Sequence, residues 1–200
     1  MPRSGPPVTF IPSGPGMPVM TQAVELVRPS LMFRDSYRGL VAEFLAAGEK
    51  LVPFVLAIEN RDFNVFLSRL DDCSRGFGLP VGFVAHSTYW LVRNQADVVG
   101  VSNIRHSLTE ALRREGGNIG YGIRPGARRQ GLGTTILRNS LARASEKGLL
   151  RVLVTCAKTN VGSVKSILRN GGVLDSEEYL ADRGEVVQRY WVENWPGAGA

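Results

Sequence analysis

The sequence predicts an α/β (α+β) domain, a sheet carrying helices, and three observations support it. Apolar residues recur at the helical period over Phe33–Phe44 and again from Leu132 to Ala144. Two runs rich in β-branched and aromatic residues, His86–Arg93 (HSTYWLVR) and Val98–Arg105 (VVGVSNIR), flank a polar turn and read as a hairpin. Between these patterns an apolar strand, Asn118–Arg124, is stopped by Pro125-Gly126 and passes through a glycine-spaced turn into the second helix. Two hundred residues, 44% of them apolar, are enough to bury one substantial core.

In chain order, Met1–Gln22 has scattered prolines and glycines in place of an apolar core. It reads as a disordered tail, not a signal peptide, and leaves one domain over 23–196. A first strand is expected over Ala23–Arg28, ended by Pro29. Ser30 then opens a helix with Phe33, Tyr37, Leu40, Val41 and Phe44 on one face, stopped at Gly48. A second helix over Arg61–Cys73 turns Phe63, Phe66, Leu67 and Leu70 inward. Ser74–Val84, punctuated by Gly76, Gly78, Pro80 and Gly82, is a loop. The hairpin turns at Asn94–Asp97, and His86, Tyr89 and Trp90 are assigned to sheet packing. Leu108–Arg114 is a helical turn or an excursion before the central strand. After the Leu132 helix come strand Arg151–Cys156, helix Val161–Arg169 and a hairpin around Asp182-Arg183-Gly184. No internal repeat or heptad pattern occurs.

Twenty Arg against four Lys give a net charge of +6. Such a balance raises nucleic acid and membrane surfaces as partners. Five of the arginines, Arg124, Arg128, Arg129, Arg138 and Arg143, gather around the glycine turn and its helix with no carboxylate among them. They stand beside glycines instead of alternating with aromatics, so neither nucleic acid nor a membrane is expected. No apolar run approaches the roughly 20 residues needed to cross a bilayer. Cys73 and Cys156 are far apart and lack metal-type spacing, so reduced thiols, no metal and a cytoplasmic location are expected.

The turn itself, Arg128-Arg129-Gln130-Gly131-Leu132-Gly133, delivers a strand to a helix N-terminus. Free backbone N–H groups and the positive end of the helix dipole converge there, making an anion site. Glycines at 131 and 133 let a phosphate approach the main chain. A Walker-type loop requires Lys after the glycines, and none is present. A dinucleotide fingerprint requires a third glycine, and Thr134-Thr135-Ile136 follows instead. What fits is R-x-x-G-x-G, carried by Arg128, Gly131 and Gly133 after a strand ending Ile123-Arg124-Pro125. This resembles the acyl-coenzyme A pyrophosphate loop of the GNAT N-acetyltransferase superfamily. The specific part spans about 35 residues, and the order of elements extends the likeness over roughly 85–193.

The resemblance implies a mixed, mostly antiparallel sheet with helices on both faces. It implies acetyl-CoA as co-substrate, held by Arg128, Arg129, Gln130, Gly131, Leu132, Gly133 and Thr134. The pantetheine arm would lie between the central strand and the next, with Ile123 on one wall and Thr155–Cys156 near the other. Asn160 and Ser163 match the N-x-x-[SA] element that faces the cofactor; Asn at an N-cap with Ser at N3 is equally an ordinary way to satisfy orphan amides. Many members place a Tyr seven residues after that Asn to protonate the departing thiolate, and here the position is Ile167. Tyr121, between Gly120 and Gly122, is then a candidate general acid, or a core residue. For the base, Glu115 is the candidate nearest the carboxylate position of several families, with Glu110 and His106 nearby.

The expected activity is therefore transfer of an acetyl group to a primary amine, on a small molecule or a peptide, by direct attack. The alternative is a non-catalytic acyl-CoA-binding module acting as sensor or scaffold. A homodimer is left open.

Overall fold

Strands β2 (His86–Arg93) and β3 (Asp97–Arg105) are buried along almost their whole length, a pattern that arises when both faces of a sheet are covered. They lie at the centre of a four-stranded antiparallel sheet, flanked by β1 (Val24–Val27) and β4 (Ile119–Ile123). In this computed structural model residues 23–194 are described. The expected tail over 1–22 and the last two positions of the expected domain lie outside them.

Helix α1 (Arg34–Ala46) follows a single 3-10 turn, and α2 (Phe63–Arg75) packs beside it. Together they cover one face of the sheet: Tyr37, Leu40, Phe44, Phe63 and Phe66 meet Trp90, Val92, Val98 and Val101. Tyr37 stacks on Trp90 with ring centroids 4.6 Å apart. The second helix lies two residues later than Arg61–Cys73 because its ends are set by caps. Asp62 accepts the N–H groups of Asn64 and Val65, each at 3.1 Å, and Gly76 closes the helix in the left-handed conformation. Between them, residues 51–58 run flat against β4 with one 3-10 turn, an arrangement for which the sequence holds no periodic signal.

The opposite face carries α4 (Leu132–Ser145) and α5 (Val161–Arg169), with α3 (Glu110–Arg114) a short excursion before β4. Leu132, Ile136, Leu137, Leu141 and Ile167 pack there against Tyr89, Leu91, Val99 and Ile104. Helices thus lie on both faces, as expected. A second antiparallel sheet has the order β5 (Arg151–Ala157), β7 (Glu185–Glu193), β6 (Val173–Leu180).

No ladder joins β4 to β5 among the described residues. The sheets meet at Asn118, whose N–H donates to the Leu153 carbonyl at 2.7 Å and whose Oδ1 accepts the Leu153 N–H at 2.9 Å. Gly116 N–H also donates to Thr155 Oγ1 at 2.9 Å. No described helix is long and apolar enough to cross a membrane.

Candidate active site

The turn between β4 and α4 carries two left-handed residues, Arg129 at φ +62° and Gly131 at φ +76°. That geometry turns successive N–H groups the same way. Those of Arg129, Gln130, Gly131, Leu132 and Gly133 donate to no acceptor among the described residues, while Thr134 and Thr135 both bond back to the Gly131 carbonyl. Gly131 also caps α4 without help from any side chain, and the space where its Cβ would stand is open. A row of unpartnered amides at a helix amino end is an anion cradle. Gly133 has a different purpose. A Cβ there would lie 3.0 Å from Ser166 Oγ, so this glycine lets α4 lie close to α5.

This cradle opens on a cavity of about 660 Å³. Ile123, Arg128, Arg129, Gly131, Leu132, Gly133, Thr134, Asn160 and Ser163 all line it, as does Tyr121. The Gln130 side chain does not; its Oε1 accepts from Arg93 Nη1 at 3.4 Å. Asn160 caps α5, accepting the Ser163 N–H at 3.0 Å, and also lines the cavity. The far wall is Phe44, Glu49, Lys50 and Val52, from the end of α1 and the irregular segment after it.

The basic cluster needs correction. Arg124 pairs with Glu43 at 2.7 Å and Asp97 at 2.9 Å, Arg143 pairs with Glu146 at 3.0 Å, and Arg128 grips both oxygens of Glu49 at 2.6 and 2.7 Å. Arg128 lies over the Phe44 ring and donates Nε to the Ile123 carbonyl, and the Glu49 hydrogen bonds raise its pKa. Most of these carboxylates are remote in sequence, so the local count overstated the free charge. The cavity's cations without an ion pair among the described residues are Arg129, Lys50, Lys165 and Arg169. Lys165 and Arg169 stand one turn apart on α5, a spacing that was legible.

Tyr121 projects from β4 toward α5. Its hydroxyl is buried and has no partner of normal hydrogen-bond geometry. Burial raises its pKa, and the neighbouring Ser163 and Ser166 hydroxyls only partly offset that. Cys156 lies close by, its thiol pushed up to about 11 by burial. Ile167 is wholly inside the core and offers no proton. Glu115 is not brought to the cavity: it stands at the end of α3, where Oε1 accepts from Arg183 at 3.0 Å and Oε2 is buried without a partner. Glu110 is exposed, and His106 is engaged with Ser87 at 2.9 Å.

The acetyltransferase (GNAT) domain family matches residues 68–173, from within α2 to the start of β6. No curated protein matches by sequence. Among solved structures, RimL, a ribosomal alpha-N-protein acetyltransferase in complex with coenzyme A, superposes with a TM-score of 0.62 at 17% identity, over 88% of this chain and 96% of that one. A microcin self-immunity acetyltransferase, MccE, in complex with acetyl-CoA and AMP gives 0.61 at 15% identity, over 89% and 96%. YncA from Salmonella typhimurium, a putative acetyltransferase with its cofactor acetyl-CoA, gives 0.58 at 11% identity, over 88% and 97%. The superpositions show a shared fold, and the family match covers more than half of the residues. The chain belongs to the GNAT acetyltransferase family.

Proposed function

We propose that this protein is an N-acetyltransferase that moves the acetyl group of acetyl-CoA onto a primary amine by direct attack. The observation that carries this is the row of five unpartnered N–H groups, Arg129 to Gly133, opening on the cavity. Those amides would hold the pyrophosphate, with Arg129, Lys50, Lys165 and Arg169 meeting the remaining phosphate charge. Gln130 contributes through its backbone alone. Ile123, Asn160 and Ser163 flank the path of the pantetheine arm. The complexes of RimL with coenzyme A and of MccE and YncA with acetyl-CoA support the choice of co-substrate.

In the reaction the amine nitrogen forms a bond to the thioester carbonyl carbon and the C–S bond breaks. The departing thiolate takes one proton and the amine loses one. Tyr121 suits the first task, because burial keeps its phenol protonated at neutral pH while Ser163 and Ser166 stand beside it. No residue is assigned as base, since Glu115 contributes nothing to the cavity. The two free cysteines fit a reducing compartment, so we place the protein in the cytoplasm.

Ile167, buried where many relatives carry an acid, favours a second reading, an acyl-CoA-binding sensor. One variant tests the shared premise. Gly131→Glu puts a carboxylate into the open space at the cradle, and acetyl-CoA affinity by calorimetry should fall by roughly 100-fold or more. Unchanged affinity in a folded variant overturns both. Thiol release in the presence of an amine panel then separates enzyme from sensor.

A further inference from the structure

Arg105, at the end of β3, stands apart from the other arginines. Among the described residues eleven of them form ion pairs with carboxylates. Arg105 forms none among the described residues, although it is largely enclosed. Its Nη1 donates to the carbonyls of Gly116 and Gly117 at 2.8 and 3.1 Å, and the guanidinium lies 5.7 Å from the Phe54 ring centroid. Nε and Nη2 make no hydrogen bond among the described residues, and neither is sealed from solvent. An enclosed charge lacking a counterion is unfavourable, and an arriving anion removes that cost.

The position gives this significance. Arg105 lies on the face of the sheet that carries residues 51–58, its guanidinium beside Gly120 of β4, where a Cβ would stand 3.7 Å from Nη1 and 3.8 Å from Nη2. Gly122, on the same face two residues along, lines the cavity. Two strand residues span about 7 Å. Its neighbour His86 is uncharged at neutral pH, its pKa lowered by burial to about 4, and so does not compete for an anion.

We infer that the open edge of Arg105 recognises a carboxylate on the acceptor, and that the acceptor is an amine bearing that carboxylate within about 7 Å. An acidic residue at a peptide amino terminus meets this, and so does the α-carboxylate of an amino acid. The fork of Nε and Nη2 presents two parallel donors, the geometry that pairs with a carboxylate. The inference rests on the acetyltransferase reading and adds a substrate class to it.

The test uses the full chain, saturated with CoA after CoA binding has been measured on the same sample. It is titrated with the acetylated products of matched pairs: N-acetylaspartyl against N-acetylasparaginyl peptide amides, and an N-acetylated amino acid against its amide. The carboxylate member of one pair should bind roughly 10- to 100-fold more tightly, and the pair that shows it identifies the source. Arg105→Met should erase the difference. If Arg105→Met melts unlike the parent, Arg105→Lys replaces it, keeping the charge, losing the fork and leaving a smaller difference. Pairs that bind alike or not at all, or a difference that survives in Arg105→Met, overturn the assignment. Failure of CoA itself to bind overturns the acetyltransferase reading instead.

Discussion

Tyr121 is the residue whose single oxygen has the most to reveal. Its hydroxyl is buried and has no partner of normal geometry, so Tyr121→Phe removes at most weak contacts with Ser163 and Ser166 and changes no packing shape. Stability and CoA affinity should therefore hold. If the phenol protonates the leaving thiolate, kcat for acetyl transfer should fall roughly 10²–10⁴-fold. Steady-state turnover beside a melting curve checks this, and wild-type turnover would return the ring to the core. Residue-scale chemistry was only partly legible in the sequence. Gly131 announced the turn, because glycine permits φ > 0; nothing local marks Arg129, the other left-handed residue. The arginines misled, because Glu43 and Glu49, which pair with Arg124 and Arg128, lie about eighty positions upstream. A pairing of that kind leaves no trace in local composition.

At the scale of elements, periodic segments were read well and irregular ones were not. Runs of β-branched and aromatic residues located β2 and β3, which are buried on both faces, and helical spacing located α1 and α4, each of which buries one regular face. Residues 51–58 have no period, yet their backbone forms the far side of the site. Gly122 records how closely they lie: a Cβ there would stand 2.1 Å from the Val52 carbonyl oxygen. Backbone cannot rotate aside, so Gly122→Ala must lift the segment and should cost about 1–3 kcal/mol in a denaturant titration. Gly120→Ala is the control on the same face. Its Cβ would meet Pro53 at an ordinary 3.5 Å, and a loss smaller than that of Gly122→Ala is expected. Equal losses would show that strand propensity, not the overlying segment, sets the cost.

The whole molecule should lose stability in acid through His86. Asn103 Nδ2 donates to its Nδ1 at 2.8 Å, and burial first, then the charges of Arg105 and His106, lower its pKa to about 4. Above about pH 6.5 the imidazole is neutral whether folded or unfolded, and the full stability is present. As pH falls from there to about 4 the unfolded chain takes up a proton that the folded one refuses, so stability drops by up to roughly 3 kcal/mol. His106, also lowered mainly by burial, acts in the same direction. Urea midpoints across that range measure the slope. His86→Asn, whose Oδ1 can accept from Asn103 in place of Nδ1, should flatten it, and an unchanged slope would place the proton uptake elsewhere.

The break between β4 and β5 makes the protein two hydrogen-bonded sheets riveted at Asn118. The seam runs along the groove where a cofactor arm would lie. Amide exchange should then report two opening free energies, one for β1–β4 and another for β5–β7, because no backbone ladder crosses the seam. Among the described residues the shared apolar core with a few hydrogen bonds is all that couples the sheets. A ligand bridging the groove acts as a tie-bar, and CoA should draw the two values together. In that sense a cofactor arm lying in the seam would take the place of a missing strand.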